Sequence, residues 1–223
     1  MVSPLSRCGT YITLINKEKE SAAARLQRSC FAMNEITIRF AQKQDAQALL
    51  AIYAPYVENT SITFEYEVPS PEEFASRIEE ISSFYPYLVC EREGEILGYA
   101  YAHRFKERAA YQWGAELSIY LAPKARGQKI GPRLYDVLMQ LLTLQNFRNF
   151  YACITSPNER SQKMHEALGF TLCGLWHHSG YKHGAWHDVA WYEKAAGCIT
   201  DAPKQLISLH DLDSAAVADI IHT

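Results

Sequence analysis

Apolar residues follow strand-like and helix-like spacings through the middle of the chain. The first strand pattern covers residues 36–40, and a helical stripe then runs from Leu49 to Val57 behind Asp45, a candidate N-cap. Pro55 is expected to bend this helix or to loosen its last turns. A second helix is predicted after Ser70-Pro71-Glu72-Glu73, which combines a capping box with proline at the first helical position.

Strand and helix patterns alternate through the rest of this region. The charged, glycine-containing segment 91–95 separates two apolar runs and is typical of an antiparallel hairpin. The element order β-α-α-β-β-β-α-β-α-β-β predicts an α/β (α+β) protein with a central mixed sheet and helices on both faces. The later elements are strand 115–121, the helix carrying Leu134 to Leu142, strand 150–154, a helix with a capping box at 156–159, and strands 172–176 and 189–192.

The two ends of the chain lack this patterning. Residues 1–32 carry Glu18 and Glu20 among basic residues and no apolar core, which argues against a secretory or mitochondrial signal. We expect a disordered extension there, with Met33 as the functional start, one domain over 33–194, and a tail over 195–223 with at most one peripheral helix. No stretch approaches the ~20 apolar residues of a membrane-spanning helix, so no membrane partner is expected.

Charge and cysteine content narrow the function classes. The chain has 22 Lys and Arg against 25 Asp and Glu, so no basic field is available for nucleic acid. The 6 cysteines contain no C-x-x-C pair, which excludes the usual zinc and redox motifs. Cys90, Cys153 and Cys173 lie in apolar strand patterns and are expected to be buried thiols of a reducing, cytoplasmic compartment.

The segment 126–131 carries the clearest chemical signal. It follows a predicted strand and opens a helix, so its backbone N–H groups can converge on an anion such as pyrophosphate. The chain lacks the G-x-x-x-x-G-K-[ST] loop of P-loop NTPases and the G-x-G-x-x-G of dinucleotide binders. Glycine-containing turns of this kind also occur as plain connections, so the pattern alone leaves both interpretations open.

Several motifs resemble one enzyme superfamily. Arg126-Gly127-Gln128-Lys129-Ile130-Gly131 resembles the R/Q-x-x-G-x-G/A loop with which GCN5-related N-acetyltransferases (GNAT) hold the pyrophosphate of coenzyme A. Asn158, Ser161, His165-Glu166 and Gly169-Phe170 match the N-x-x-[AS]-x-x-x-[YH]-E-x-x-G-F signature of the same superfamily. The run 180–189 is similar to phosphinothricin and methionine sulfoximine N-acetyltransferases. The resemblance covers residues 36–193 and implies the GNAT fold, with a twisted, mostly antiparallel sheet.

The resemblance implies acetyl-CoA as the acetyl donor and no metal. Lys129 stands where the loop motif normally has glycine, so a positive φ is costly there, although its N–H could donate at negative φ and its ammonium could attract phosphates. The backbone of 118–121 is expected to pair with the pantetheine arm like an added strand. The implied cofactor-binding residues are Ser118, Ile119, Tyr120, Leu121, Arg126, Gly127, Gln128, Lys129, Ile130, Gly131, Asn158 and Ser161.

Two residues are implied to be catalytic. Glu116 matches the proposed base of this branch, which removes the amine proton directly or through water, whereas a lone strand glutamate is more often solvated. His165 stands where many members have a tyrosine that protonates the leaving thiolate. Its role as acid, base or packing residue stays open.

Three residues are implied to bind the amine substrate. Arg108 is the match for a clamp on an α-carboxylate, because arginine presents two parallel donors, while Lys106 is interpreted as a solvated loop charge. Phe64 and Tyr111 are expected to shape the side-chain pocket. His183 and His187 invite a metal interpretation, but the flanking glycines favour a hairpin at the substrate mouth or at a dimer contact.

The resemblance therefore implies an enzyme. It transfers acetyl from acetyl-CoA to the α-amino group of a small amino acid such as phosphinothricin, methionine sulfoximine or methionine sulfone, by direct transfer in a ternary complex. A cytoplasmic homodimer with a role in herbicide resistance is expected. Two alternatives stay open: a GNAT enzyme acting on another small amine or a peptide, and a non-catalytic module that senses coenzyme A.

Overall fold

The computed structural model describes residues 36–197 and 201–222. The extension expected at residues 1–32 lies outside the described residues. The fold below is that of the compact unit formed by Thr37–Glu91 and Glu95–Thr223. Among the described residues, no helix is both long and apolar enough to cross a bilayer.

Seven strands of the described chain form one sheet in the order β1-β2-β3-β4-β5-β7-β6. β4 and β5 pair in parallel, while β1 with β2, β3 with β4, β5 with β7 and β6 with β7 pair antiparallel. The predicted element order and the mixed, mostly antiparallel sheet are confirmed. The strands are β1 Thr37–Phe40, β2 Tyr87–Arg92, β3 Glu95–Arg104, β4 Gly114–Leu121, β5 Asn149–Ser156, β6 Thr171–Lys182 and β7 Ala185–Ala195.

The last two strands are longer than the sequence pattern predicts. β6 is the edge strand of the sheet and is mostly exposed, so its residues show no alternation of buried and exposed positions. Strand prediction from sequence relies on that alternation. It therefore misses the part of the hairpin between residues 177 and 188, which we call its outer half. The hairpin turn itself lies at His183-Gly184, within the segment where the sequence predicts it.

Five helices of the described chain accompany the sheet, and their caps follow the sequence only in part. Ser70 Oγ accepts the N–H of Glu73 at 3.1 Å, as the capping box predicts. The cap of the fourth helix is Asn158, whose Oδ1 accepts the N–H of Ser161, and not the predicted Ser156. The helices are α1 Ala46–Asn59, α2 Pro71–Ser82, α3 Ile130–Leu144, α4 Glu159–Ala167 and α5 Ser214–Ile221.

The start of α1 also differs from the prediction. Asp45 occupies the N-cap position, but its side chain makes no capping bond there. Its carboxylate instead accepts from Arg39 Nη1 at 2.7 Å and from the backbone N–H of Gln42 at 2.8 Å. These bonds lower the pKa of Asp45 against the opposing effect of burial. Pro55 lies inside α1, which continues to Asn59.

Helices cover both faces of the sheet at β4. The ring of Tyr120 lies 4.9 Å from that of Tyr53 and 5.2 Å from that of Tyr56, both on α1. Gly131, at the start of α3, lies against the side chain of Ile119 instead. Because neighbouring residues of a strand point to opposite faces, α1 and α3 pack on opposite sides of the sheet.

The exposure of the cysteines corrects the sequence interpretation. Cys90 is buried and its sulfur is not part of a disulfide, as expected. Cys153 and Cys173 are also free but exposed. Cys173 lies on the edge strand and Cys153 on β5 beside a cleft, so a strand position does not bury either thiol.

The chain after β7 is hydrogen-bonded to the rest of this unit. Gln145 Nε2, fully buried, donates to the carbonyls of Phe84 at 2.8 Å and Ile207 at 3.0 Å. Trp113 Nε1 donates to the carbonyl of Lys204 at 2.8 Å. The carbonyl groups of Lys204 and Ile207, in the segment before α5, thus accept hydrogen bonds from side chains of the preceding elements, and these bonds hold the segment in place.

Candidate active site

The parallel strands β4 and β5 run side by side at one end and separate at the other. Their pairing ends at Glu116↔Tyr151, and in the described part of the chain no later pair joins them. The opening is a cleft lined by residues 117–120 of β4 and 152–155 of β5. The backbone groups that β4 turns toward this cleft are available to an extended ligand, which can bind as an added strand.

The far end of β4 is already occupied by a side chain. The hydroxyl of Tyr56 donates to the carbonyl of Leu121 at 2.6 Å and accepts the N–H of the same residue at 3.3 Å. Of the four residues that the resemblance assigns to the pantetheine arm, Leu121 therefore has both main-chain groups bonded. Residues 118–120 remain as the open stretch.

Glu116 lies where the two strands separate. Its neighbours across the strands are His103 and Tyr151, and its side chain is 19% exposed. One carboxylate oxygen is 3.9 Å from His103 Nε2. Burial raises the pKa of Glu116, while the charges of His103 and Lys106 oppose the rise. A carboxyl group with a raised pKa at a cleft suits a general base near neutral pH.

His165 lines the cleft and is 2% exposed. Its Nδ1 lies 2.8 Å from the carbonyl oxygen of Ser161, which can only accept, so Nδ1 carries the proton. Nε2 lies 3.3 Å from the hydroxyl of Tyr135. Burial lowers the pKa of His165 against the opposing effect of the Ser161 carbonyl. The lowered pKa favours the neutral imidazole at pH 7. Its Nε2 therefore accepts a hydrogen bond from the Tyr135 hydroxyl.

Tyr135 is a cleft residue that sequence reasoning missed. It lies on α3, lines the cleft together with His165, and is 1% exposed. Burial raises the pKa of Tyr135 far above its usual range, so the hydroxyl keeps its proton. In the sequence it stands within the leucine-rich stripe of a helix, where an aromatic residue is normally a core residue.

The turn before α3 places a lysine in the left-handed backbone region. Gly127 has φ +80°, and Lys129 has φ +60° with ψ +15°. The alternative in which Lys129 keeps a negative φ is therefore excluded. A non-glycine residue in this region costs about 1 kcal/mol, because its Cβ approaches the neighbouring carbonyl oxygen.

The other loop residues have different roles. Gln128 Nε2 donates to the carbonyl of Lys124 at 2.7 Å, and Ile130 is buried. Gly131 has an ordinary φ, but a Cβ on it would lie 2.9 Å from Met164 Sδ. A side chain at this position would therefore require the Met164 thioether on α4 to move.

A second cavity of about 370 Å³ adjoins the cleft near the starts of α3 and α4. Arg126 and Arg160 both line it, and the guanidinium carbon of Arg126 lies 5.3 Å from the ring centroid of Tyr56. Two cations beside helix N-termini suit a phosphate group. Arg160 was not assigned from the sequence. The residues shared by the cavity and the cleft are Ile62, Ile119, Asn158 and Ser161.

Asn158 lies at the boundary of these two spaces. Its Oδ1 accepts the N–H of Ser161 at 3.3 Å and so caps α4. Because the oxygen is used in this way, the amide N–H groups are the donors that Asn158 offers to a ligand. The structural and ligand-binding interpretations of this residue are thus compatible.

The three residues implied to bind substrate do not line a common cavity. Phe64 packs against the β6–β7 hairpin, with its ring 6.3 Å from that of His187. Arg108 is exposed and precedes a single 3₁₀ turn at Ala109–Tyr111. Tyr111 is 51% exposed and lines a separate cavity with Phe105 and Tyr151.

Lys106 is exposed, as its interpretation as a solvated loop charge predicts, but it lies beside three aromatic rings. Its Nζ lies 5.0 Å from the ring centroid of Phe105, 5.7 Å from that of Trp176 and 5.6 Å from that of Trp191. Its charge also lowers the pKa of Glu116. Trp176 and Trp191 come from strands far along the chain, so no local pattern could place them around Lys106.

The histidines of the hairpin bind main-chain and hydroxyl groups. His187 Nε2 lies 3.0 Å from Ser61 Oγ, and His183 Nε2 lies 3.3 Å from the carbonyl oxygen of Thr60. Asp188 accepts from the backbone N–H of His178 at 2.8 Å. Within residues 36–197 and 201–222, no group of three or more His, Cys, Asp or Glu side chains is arranged to hold a metal ion.

Comparison with known proteins identifies the type of domain. Residues 38–191 match the family model described as an acetyltransferase (GNAT) domain. The chain is 36% identical to the phosphinothricin N-acetyltransferase of Streptomyces viridochromogenes over 159 residues, which is 71% of this chain and 87% of the relative. It is 28% identical to the L-methionine sulfoximine/L-methionine sulfone acetyltransferase of Salmonella typhimurium, over 71% of this chain and 93% of that protein.

A solved structure also resembles this chain and is likewise a GNAT acetyltransferase. The phosphinothricin acetyltransferase of Sinorhizobium meliloti, crystallised in complex with acetyl-CoA, superposes with a TM-score of 0.74 at 37% sequence identity. The match covers 79% of this chain and 97% of that one.

Proposed function

The chain belongs to the GNAT acetyltransferase family, and from this premise we propose that it transfers acetyl from acetyl-CoA to the α-amino group of phosphinothricin, methionine sulfoximine or methionine sulfone. The observation that carries the proposal is the continuous space between β4 and β5. It has Glu116 beside its narrow end and Arg126 with Arg160 in the adjoining cavity.

The cofactor half of this space fits an extended thioester carrying a pyrophosphate. Arg126, Arg160 and the N–H groups of the loop before α3 would hold the phosphates. The open edge of β4 at 118–120 would pair with the pantetheine arm, and one of its N–H groups would polarise the thioester carbonyl. The amide of Asn158 would bind the arm where the two spaces meet.

The chemical step assigned to Glu116 is removal of a proton from the substrate ammonium. The freed nitrogen lone pair then attacks the thioester carbon in a ternary complex, and the carbon–sulfur bond breaks as the amide forms. A second proton from the nitrogen ends on the sulfur of coenzyme A, and Glu116 returns its proton to solvent. The raised pKa of Glu116 supports this role, because such a carboxylate is the stronger base.

We assign His165 a positioning role. The Tyr135 hydroxyl has one proton, which points to the neutral Nε2 of His165, and Nε2 itself could donate only in an imidazolium because Nδ1 already donates to Ser161. Burial disfavours that charged form. The neutral ring therefore orients Tyr135 at the cleft wall.

A cation of the segment between β3 and β4 is proposed to bind the substrate carboxylate. Arg108 could form the bidentate pair that a carboxylate prefers, while both Arg108 and Lys106 are exposed and line neither the cleft nor the adjoining cavity. Lys106 acts electrostatically on Glu116, where the amine must lie. Comparing Arg108→Ala with Lys106→Ala decides between them, because loss of the carboxylate contact raises the amine KM without changing the acetyl-CoA KM.

We further propose that the enzyme acts in the cytoplasm as a homodimer. The thiols of Cys153 and Cys173, which form no disulfide, support a reducing compartment. The outer edge of β6, which pairs with no other strand of the described residues and carries exposed Leu175 and Trp176, supports contact between two copies. Light scattering of the wild type and Trp176→Glu tests this, since a monomeric wild type would refute the dimer.

Thiol release from acetyl-CoA, measured against a panel of amines, tests the proposed function. The panel holds phosphinothricin, methionine sulfoximine, methionine sulfone, common amino acids, spermidine and a peptide. Turnover confined to the first three supports the proposal, and protection of phosphinothricin-sensitive cells would extend it to herbicide resistance. Faster turnover of spermidine or the peptide would reassign the substrate, while acetyl-CoA binding without any turnover would favour the sensing alternative.

A further inference from the structure

The tip of the β6–β7 hairpin is bonded to the segment that follows α1. Lys182, the last residue of β6, is 2% exposed. Its Nζ donates to the carbonyl of Val57 at 2.7 Å and to the carbonyl of Thr63 at 2.8 Å. These contacts join residues that are 125 and 119 positions apart in the chain. We call this set of contacts the loop–hairpin junction.

The position of the Lys182 ammonium has a physical explanation. Val57 lies in the last turn of α1, where carbonyl groups have no partner inside the helix and the helix dipole is negative. The ammonium therefore caps α1 and reaches the following loop at the same time. Burial lowers the pKa of Lys182, and the nearby Glu65 carboxylate opposes this effect.

Polar contacts at the rim reinforce the junction. His183 Nε2 lies 3.3 Å from the carbonyl oxygen of Thr60, and His187 Nε2 lies 3.0 Å from Ser61 Oγ. The hydroxyl of Tyr66 donates to the carbonyl of Tyr181. The loop is thus held from Thr60 to Tyr66 by the hairpin tip.

The segment held in this way carries Ile62, a cleft residue, and Phe64, which the resemblance implies for the amine pocket. Ile62 lines both the cleft and the adjoining cavity. The ring of Phe64 packs so closely on β6 that a Cβ on Gly180 would lie 2.2 Å from it. The positions of both side chains therefore depend on where the hairpin holds the loop.

We propose that Lys182 is a positioning residue, which fixes the loop after α1, and with it the Phe64 ring that the resemblance implies for the amine pocket, by joining the hairpin to the end of α1. This inference rests on the proposed function for its kinetic consequence, but not for its structural one. A positioning role predicts a change in amine recognition, because the base Glu116 and the phosphate-binding loop belong to other elements.

The principal test is Lys182→Met, which keeps a long apolar stem and removes the donors. Lys194→Met is the matched control, since Lys194 Nζ also donates to a carbonyl, that of Leu168, at 2.7 Å. With acetyl-CoA and methionine sulfoximine, Lys182→Met is expected to raise the amine KM about tenfold, the usual scale for losing buried hydrogen bonds. The acetyl-CoA KM should stay within about twofold, and the control should leave both KM values unchanged.

Hydrogen–deuterium exchange of residues 57–66 provides a readout that needs no turnover. Exchange there should accelerate in Lys182→Met and stay unchanged in Lys194→Met. A wild type that turns over no amine would refute the proposed function, while the exchange comparison would still test the junction. Unchanged exchange and an unchanged amine KM in folded Lys182→Met would overturn the inference.

If Lys182→Met does not fold, a second pair of variants tests whether the hairpin positions Phe64 for amine recognition. Gly180→Ala would displace the Phe64 ring, whereas a Cβ on Gly174 of the same strand would meet no atom within 4 Å. The inference predicts a higher amine KM for Gly180→Ala than for Gly174→Ala. Equal amine KM values in the two variants would overturn it.

Discussion

The proposed cofactor half and the proposed amine half of the site are built in different ways. On the cofactor side, Arg126, Lys129 and Asn158 lie on short turns beside the helices that they help to begin. On the amine side, Lys106 lies beside Trp176 and Trp191, and Lys182 reaches back to Val57. The first half depends on local backbone geometry and the second on contacts between distant segments. The two halves should therefore respond separately to substitution.

The largest expected effect is at Glu116, in the proposed amine half. Glu116→Gln keeps the size of the side chain but removes its basicity, so kcat/KM for methionine sulfoximine should fall by about 10²–10³-fold. Initial rates of thiol release measure this loss. The folded variant should melt close to the wild-type temperature, and retention of more than a tenth of the activity would contradict the assignment of the base.

The next effect is confined to the cofactor half. Arg126→Ala removes a cation from the cavity beside α3 and should raise the acetyl-CoA KM about tenfold, the scale of a charged hydrogen bond. The amine KM should not change. Lys163→Ala is the control, since Lys163 is exposed on α4 and paired with Glu159. An increase in the amine KM of Arg126→Ala would mean that the halves are not separate.

A smaller effect concerns the pH dependence of the amine half. The base must be deprotonated, so kcat/KM should fall as the pH drops through the raised pKa of Glu116. The charge of Lys106 lowers that pKa. Lys106→Gln should therefore move the acidic limb of the plot of kcat/KM against pH to higher pH. Lys43→Gln, remote and paired with Glu79, should leave the limb in place. A limb that moves to lower pH in Lys106→Gln would refute the electrostatic argument.

The smallest expected effect is on stability, and it concerns the backbone conformation of Lys129 in the proposed cofactor half. Lys129→Gly relieves the positive φ of Lys129 and should raise the free energy of unfolding by about 0.5 kcal/mol, since glycine also loses more chain entropy on folding. Lys129→Ala keeps the strain and should show no such gain. Thermal unfolding of the two variants separates backbone strain from the loss of the ammonium.

The sequence predicts the elements that carry their own pattern. The stripe on α3, the Ser70 cap of α2 and the turn that opens α3 are local, and the structure has them where the sequence places them. The outer half of β6 was missed because an exposed edge strand has no buried face, and Tyr135 was missed because it has the pattern of a core residue. The surroundings of Lys106 and Lys182 are made by residues distant in the chain. Spacing rules describe only neighbouring residues and could not predict them.

The most direct test of a divided site is calorimetric titration of acetyl-CoA into three variants, Arg126→Ala, Glu116→Gln and Lys182→Met. Acetyl-CoA affinity should fall about tenfold in Arg126→Ala and stay within about twofold of the wild type in the other two. Equal losses of affinity in all three would contradict the account, because the cofactor and amine halves would then form a single unit.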